Sequence, residues 1–400
     1  MRTPAKQRSR AAMRALAALL FVAGAALAAA APYVPQGDAT VLERVPARAA
    51  LERLAPLRQA VAAHPDELDT ALTIAQAYIA IGRENGDPRF VAYGEATLDS
   101  WVRQSRPPEK VLVIQATALQ YLHRFDESLA LLDRALALQP LDAQAWLTRA
   151  TLLELRGDYA SARPACARLM RAVDVLIAIT CLASVDGRSG RLAESYERLR
   201  ASPADDTRLP ADTRAWALAV RAEMAERLGD DASAAFDYVA ALETSPQDPY
   251  LRAAYADLLL RTGRPDEVLT LLAGNEAQDP LLLRLAIAGV RLGSREAAHW
   301  TQTYHERLRA AERDHDNTHL REQAMYLLDV RGDPNAALES ARRNWAVQRE
   351  PADLRIYARA ALSAHSDADG ALLAHWLAAT RYEDRTLPAI LECAARRGSR

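Results

Sequence analysis

The chain is almost without lysine: Lys6 and Lys110 are the two among its 50 basic residues, and it has three cysteines and 16 glycines in 400 residues. So few glycines exclude a Gly-rich, many-turned β architecture, and the 85 alanines favour helix. Basic and acidic residues nearly cancel, 50 against 52, so no bulk positive charge argues for a nucleic-acid ligand. No stretch matches G-x-G-x-x-G, G-x-x-x-x-G-K, H-E-x-x-H or C-x-x-C, the spacings that cradle phosphates, hold zinc or run thiol exchange. Half the residues are hydrophobic, which excludes a wholly disordered chain. A length of 400 is too great for one compact core and implies two to three domains or one elongated repeat array.

The N-terminus reads as a targeting segment. Arg2, Lys6, Arg8, Arg10 and Arg14 precede any acid, and the uncharged run from Ala15 to Ala31 ends in small residues around Ala26-Leu27-Ala28. A basic start, an apolar middle and an A-x-A exit form a secretory signal, predicted over 1–31. The alternative is an uncleaved anchor, although the run is shorter than the ~20 residues of a stable span. Removing five basic residues and no acid takes the formal charge from -2 to -7, which disfavours an anionic membrane surface as the main ligand. No second long apolar run follows.

From about Leu68 a phrase recurs: a small residue, a glycine seven places on, then a second helical stretch. Residues 215–248 show it with Ala222, Gly229, Ala234, Tyr238, Ala241 and Pro246. Residues 109–142 carry Ala116, Ser128, Leu132, Ala135 and Pro140, residues 143–176 carry Trp146, Ala150, Gly157 and Ala162, and Pro249 opens a copy with Ala256, Gly263 and Leu272. Gly82, Gly190, Gly293 and Gly332 share the setting, and from Gly157 the gaps are 33, 39, 34, 30 and 39 residues. A period near 34 with two helices per unit is a repeat architecture. Small residues let paired helices approach, glycine takes the turn between them, and proline stops the second helix. One such unit cannot stand alone: ordering 34 residues costs about 1.5 kcal/mol each, more than one helix pair recovers, so units must stack.

On these residues the chain resembles the tetratricopeptide repeat (TPR) family over roughly 68–380. Copies depart from the pattern where His123 replaces a turn glycine, where Arg83 to Tyr93 lengthens the first unit, and where Ala201 to Asp212 lengthens a link. The resemblance implies an all-α, right-handed superhelical solenoid of stacked helix-turn-helix repeats. The expected layout is a segment 32–66 with a capping helix (Ala47 to Ala63), the array over 67–380, and a C-terminal capping helix and tail over 381–400.

The resemblance also implies that the first helix of each unit lines a concave groove. The inward positions fall on Lys110, Thr117, Gln120 and Tyr121; on Gln144, Thr151 and Glu154; on Trp216, Glu223 and Arg227; and on Tyr250, Asp257 and Arg261. This mixed polar and aromatic lining suits an extended peptide or partner helix. It lacks the basic cluster with which family members clamp a C-terminal carboxylate. Charge reversal at Glu223 and Arg227 is expected to weaken partner capture without unfolding the array.

Other constellations read as structural. His315 and His319, with Asp314, Asp316 and His305 nearby, are spaced for a shared metal on one helix, but Asp316-Asn317-Thr318 reads as a helix start that would split the pair. Asp367-Ala368-Asp369-Gly370 lacks the later ligands of a calcium loop and reads as a turn between helices. Gly187 to Gly190 falls at a repeat turn, and Trp345 reads as interhelix packing. Cys166 and Cys181 lie on adjacent helices of successive units, so either a disulfide or two buried free thiols fits, and Cys393 is left over. The expected function is a non-catalytic protein-interaction scaffold or adaptor in a bacterial envelope, exported to the periplasm. It would bind a protein or peptide and no nucleic acid, with no cofactor and no metal. The alternatives are a membrane-tethered assembly factor and, further off, a metal-dependent enzyme.

Overall fold

Alanine at the close-approach positions decides how the chain folds. Ala116, Ala150, Ala162, Ala222, Ala234, Ala241 and Ala256 are all fully buried, so helix backbones meet with nothing larger than a methyl group between them. Where Ser128 stands in for alanine it is also fully buried, and its hydroxyl donates to the Ala116 carbonyl at 2.6 Å. That bond removes the penalty of a buried, unpaired hydroxyl.

The computed structural model describes residues 49–85, 88–313, 319–387 and 391. Among these are nineteen helices and no strand. The chain divides into Met1–Arg53 and Leu54–Arg400; in the first, the described residues are the opening of α1 (Ala49–Ala63). The other eighteen described helices form nine pairs. Their first helices are α2 (Leu68–Asn85), α4 (Glu109–Tyr121), α6 (Ala143–Leu155), α8 (Val175–Gly187), α10 (Ala211–Leu228), α12 (Pro249–Arg261), α14 (Asp279–Leu292), α16 (Leu320–Asp329) and α18 (Pro351–Ser363). Their second helices are α3 (Pro88–Val102), α5 (Phe125–Leu138), α7 (Tyr159–Leu169), α9 (Leu192–Arg200), α11 (Asp231–Thr244), α13 (Pro265–Leu271), α15 (Ala297–Arg313), α17 (Pro334–Val347) and α19 (Asp367–Thr380). Each helix packs on its partner, and first helices also pack on first helices of the next unit, as α4 does on α6 and α8 on α10.

The turn glycines behave as the period requires. Gly157, Gly190, Gly229, Gly263, Gly293 and Gly332 all adopt positive φ, between 63° and 85°. His123 takes the same left-handed turn at φ 57° and stacks on Phe125 at 5.5 Å. Gly82 differs from the expectation: it lies inside α2, which runs on to Asn85. Aspartates cap many of the helices by accepting a backbone N–H, among them Asp142, Asp158, Asp174, Asp230, Asp248 and Asp333.

Three further expectations meet the structure. Asp367-Ala368-Asp369-Gly370 is the first turn of α19 and not the turn before it, because Asp369 is drawn inward to Arg342, Tyr357 and Ser366. Trp345 packs edge-on against Trp376 at 4.9 Å and near Tyr357 at 5.9 Å. A disulfide joins Cys166 on α7 to Cys181 on α8, with Cα atoms 5.5 Å apart. The signal segment 1–31, the residues Asp314, His315 and Asp316, most of the expected C-terminal capping helix, and Cys393 lie outside the described residues.

Candidate functional site

The predicted groove residues separate into an open end and a closed end. At the open end, Lys110, Thr117 and Gln144 line a cleft of about 620 Å³ across three successive first helices, α2, α4 and α6. Leu72, Ile79, Val113 and Ile114 supply apolar lining, and Asp69, Thr73, Gln76, Arg83, Glu109 and Asp142 supply polar groups. Several of the polar side chains are held locally: Thr117 donates to the Val113 carbonyl at 3.0 Å and Gln144 to the Thr148 hydroxyl at 3.1 Å. Glu109 sits beside Asp142, and burial together with that second carboxylate raises its carboxyl above the ordinary value, against the pull of Lys110. Gln120, Tyr121 and Thr151 are half-buried on the same helices; the Tyr121 hydroxyl donates to the Gly82 carbonyl at 3.4 Å and Thr151 to the Leu147 carbonyl at 3.0 Å.

Farther along, the lining is taken up by the protein itself. Arg227 is fully buried. Its guanidinium donates to the Gly187 carbonyl at 2.6 Å and the Glu383 carbonyl at 3.1 Å, and it lies 4.1 Å from the centre of the Tyr382 ring. Arg188 bridges Glu154 and Glu223, each at 3.1 Å, and Ser184 donates to Glu154. Burial raises the Glu154 carboxyl, with Arg188 opposing the shift. Arg355 on α18 spans Glu226 at 2.7 Å and Asp384 at 3.1 Å. Asp257 is paired with Arg284 at 2.6 Å, and Arg261 with Glu226 at 3.1 Å. Trp216 is half-buried against the cluster around the disulfide, and Tyr250 is 54% exposed.

Glu154 and Arg227 are therefore buried within the array and Glu223 is half-buried against Arg188, whereas Asp257 and Arg261 are ion-paired within the chain with Arg261 still exposed. The expectation that reversing Glu223 and Arg227 leaves the array intact is corrected: Arg227 is a buried cation on which distant parts of the chain converge. Those parts are Tyr382 and Glu383; beside them Asp384 pairs with Arg355, and elsewhere on the array the Arg349 backbone N–H reaches the Leu155 carbonyl at 2.7 Å. Sequence reasoning missed these residues because an extended segment carries no helical period. It also missed Asp69, Gln76 and Arg83, because the lengthened first unit hid its register.

Among the described residues no group of three or more His, Cys, Asp or Glu side chains is placed to hold a metal. Among them, too, no helix is long and apolar enough to cross a membrane.

Stacked antiparallel helix pairs with small residues at their crossings and left-handed turns between them define a TPR-like α-solenoid. No family model and no curated protein matches the chain. Solved structures are similar to it. PilW, a widely conserved type IV pilus biogenesis factor, is 19% identical with a TM-score of 0.39, covering 50% of this chain and 92% of its own. A tetratricopeptide repeat protein from Parabacteroides merdae is 13% identical with a TM-score of 0.38, covering 59% and 93%. Human IFIT1, solved as a dimer with PPP-AAAA, is 13% identical with a TM-score of 0.45, covering 79% and 80%.

Proposed function

We propose that the protein is a non-catalytic interaction scaffold of the bacterial cell envelope that holds a peptide or partner helix in the cleft of α2, α4 and α6. The observation that carries this reading is the cleft itself: about 620 Å³, with Leu72, Ile79, Val113 and Ile114 between polar margins on three consecutive units. An amphipathic segment would lay its apolar face on those four residues and meet the polar margins with hydrogen bonds. Asp69, Glu109 and Asp142 outnumber Lys110 and Arg83 there, so the cleft favours a segment bearing a basic residue over a nucleic acid. The raised Glu109 carboxyl points the same way, because a cation placed beside Glu109 and Asp142 would relieve their repulsion.

Export rests on the basic, apolar and small-residue order of the first 31 residues, and a periplasmic, oxidising location agrees with the Cys166–Cys181 bridge. If the segment is retained, the same array becomes a membrane-tethered assembly factor. Identification of the N-terminal residue of the protein from cells separates the two: a start near Ala29 to Pro32 removes the tether.

A photo-crosslinking side chain at Thr117, used in the periplasm, tests the cleft. The expected result is a crosslink to a discrete protein that disappears when Val113→Glu places a charge in the apolar lining. A crosslink that survives Val113→Glu in a folded array would reject the cleft as the binding site.

A further inference from the structure

The turns of three consecutive units form a row, and the C-terminal part of the chain passes along it in order. Trp376 stands at Gly157, Arg381 at Gly190 and Arg385 at Gly229. The approach is closest at Gly190: at φ +85°, an added Cβ would lie 2.9 Å from Arg381 Cβ. Beyond α19 the residues Tyr382 to Asp384 have no helical structure, yet they are gripped at every step. The Tyr382 ring lies against the Arg227 guanidinium, the Glu383 carbonyl accepts from Arg227, and the Glu383 carboxylate accepts the Leu192 N–H at 3.4 Å. Asp384 takes Arg355 at 3.1 Å, and the Arg385 N–H donates to the Arg227 carbonyl at 2.8 Å.

The receptor side has support of its own. Arg227 is tied to the Gly187 carbonyl and Arg355 to Glu226, and both contacts are made without residues 381–385. Among the described residues the buried Arg355 Nη2 has no hydrogen-bond acceptor, and Arg227 Nη1 has only the Glu223 carboxylate, 3.6 Å away and beyond hydrogen-bond distance. The surface therefore offers more donors than the resident segment uses, and buried donors gain by finding acceptors.

We propose that this row of turns is a receptor for an extended segment in which an aromatic residue is followed by two acids, and that Arg381–Arg385 is its resident and displaceable occupant. The aromatic ring stacks on Arg227, the two acids meet the Leu192 N–H and Arg355, and the backbone pairs with Arg227. A partner segment of the same chemistry, with further acceptors for the unused N–H groups, would take the place of the strap and free the C-terminal end of the array. This surface is the turn edge of the third to fifth units and is separate from the α2–α4–α6 cleft, so either assignment can fail without the other.

The test uses the full-length chain, wild type and Tyr382→Ala, with a fluorescent synthetic peptide of the sequence from Thr380 to Leu387. The variant should keep its helical circular dichroism and bind the peptide at least about 10-fold more tightly than wild type, the order expected when an intramolecular competitor is weakened. A peptide with alanine for tyrosine should not bind. Equal binding to both chains, or binding to neither, overturns the proposal. If Tyr382→Ala loses its helical signal, hydrogen exchange on the wild-type chain decides. Loss of protection at the Arg385 amide well before the amides of α10 supports a displaceable strap, and loss in step with them makes the strap an inseparable part of the array.

Discussion

Replacing Arg227 with alanine removes a cation that joins the turn of the fourth unit to the segment after α19. Its guanidinium, itself out of solvent, serves the Gly187 and Glu383 carbonyls at 2.6 and 3.1 Å and faces the buried Tyr382 ring at 4.1 Å. Hydrogen bonds to a charged donor contribute about 1.5–3 kcal/mol each, and a desolvated cation–π contact about 2 kcal/mol. These contributions overlap, and breaking one partner of a buried charge network generally costs about 3–5 kcal/mol. In a stacked array such a loss is felt locally first, so Arg227→Ala should release residues 381–385 before it melts the units. Thermal melting by circular dichroism, with hydrogen exchange at the Arg385 amide, reads both effects. Arg227→Lys keeps the charge and loses the planar fork, so it should recover part of the stability. Arg227→Glu adds repulsion with Glu223, 3.6 Å from the native guanidinium, and should be the worst of the three. Arg227→Ala with a wild-type melting curve and undiminished Arg385 protection would refute this account of the closed end.

The Cys166–Cys181 bridge closes a loop of 15 residues, for which chain entropy gives about 3 kcal/mol. Reduction should lower the melting temperature, and alkylation of the unreduced folded protein should spare both thiols. Glu322 is buried; burial alone would raise its carboxyl, but Arg321 and Arg284 outweigh that and hold it at about 2. Its folded value thus lies below the unfolded one near ~4, so its contribution is present above about pH 4 and fades as the pH falls toward 2. Glu322→Gln should lower stability at pH 7 by up to ~3 kcal/mol and flatten the acid limb of a stability–pH curve. Leu132→Ala, at a fully buried position in the cluster that also holds Val113, should cost about 2–5 kcal/mol in a urea titration.

Local chemistry announced the repeat, and the structure shows why it did. Close helix crossings demand alanine, and left-handed turns demand glycine or, at His123, a tolerated substitute. Both leave marks at fixed spacing. Gly82 shows the limit of that signal: a glycine at the right interval sat inside a helix because α2 continues to Asn85. The open cleft was half legible. Lys110, Thr117 and Gln144 followed from the repeat frame, whereas Asp69, Gln76 and Arg83 sit in a unit whose register is obscured between Arg83 and Tyr93. The closed end was not legible, because nothing in the spacing of Arg227 says that Tyr382, 155 residues later, will cover it. The signal that could have raised suspicion was chemical: a run of Glu154, Arg188, Glu223, Glu226 and Arg227 at the ends of first helices is a concentration of charge that folding must neutralise.

The closure of the array upon its own turns is tested most directly by a double-cysteine crosslink. A Cβ at Gly229 would lie 3.8 Å from Arg385 Cβ, close to the mean separation of about 3.8 Å in a disulfide. The full-length chain carrying Gly229→Cys, Arg385→Cys and Cys393→Ser should keep its helical signal despite the strain of a side chain at φ +81°, and should oxidise to an intramolecular bond, seen as loss of both introduced thiols and a mobility shift reversed by reductant. Two thiols that stay freely alkylated in a folded, fully helical protein would contradict the closed array.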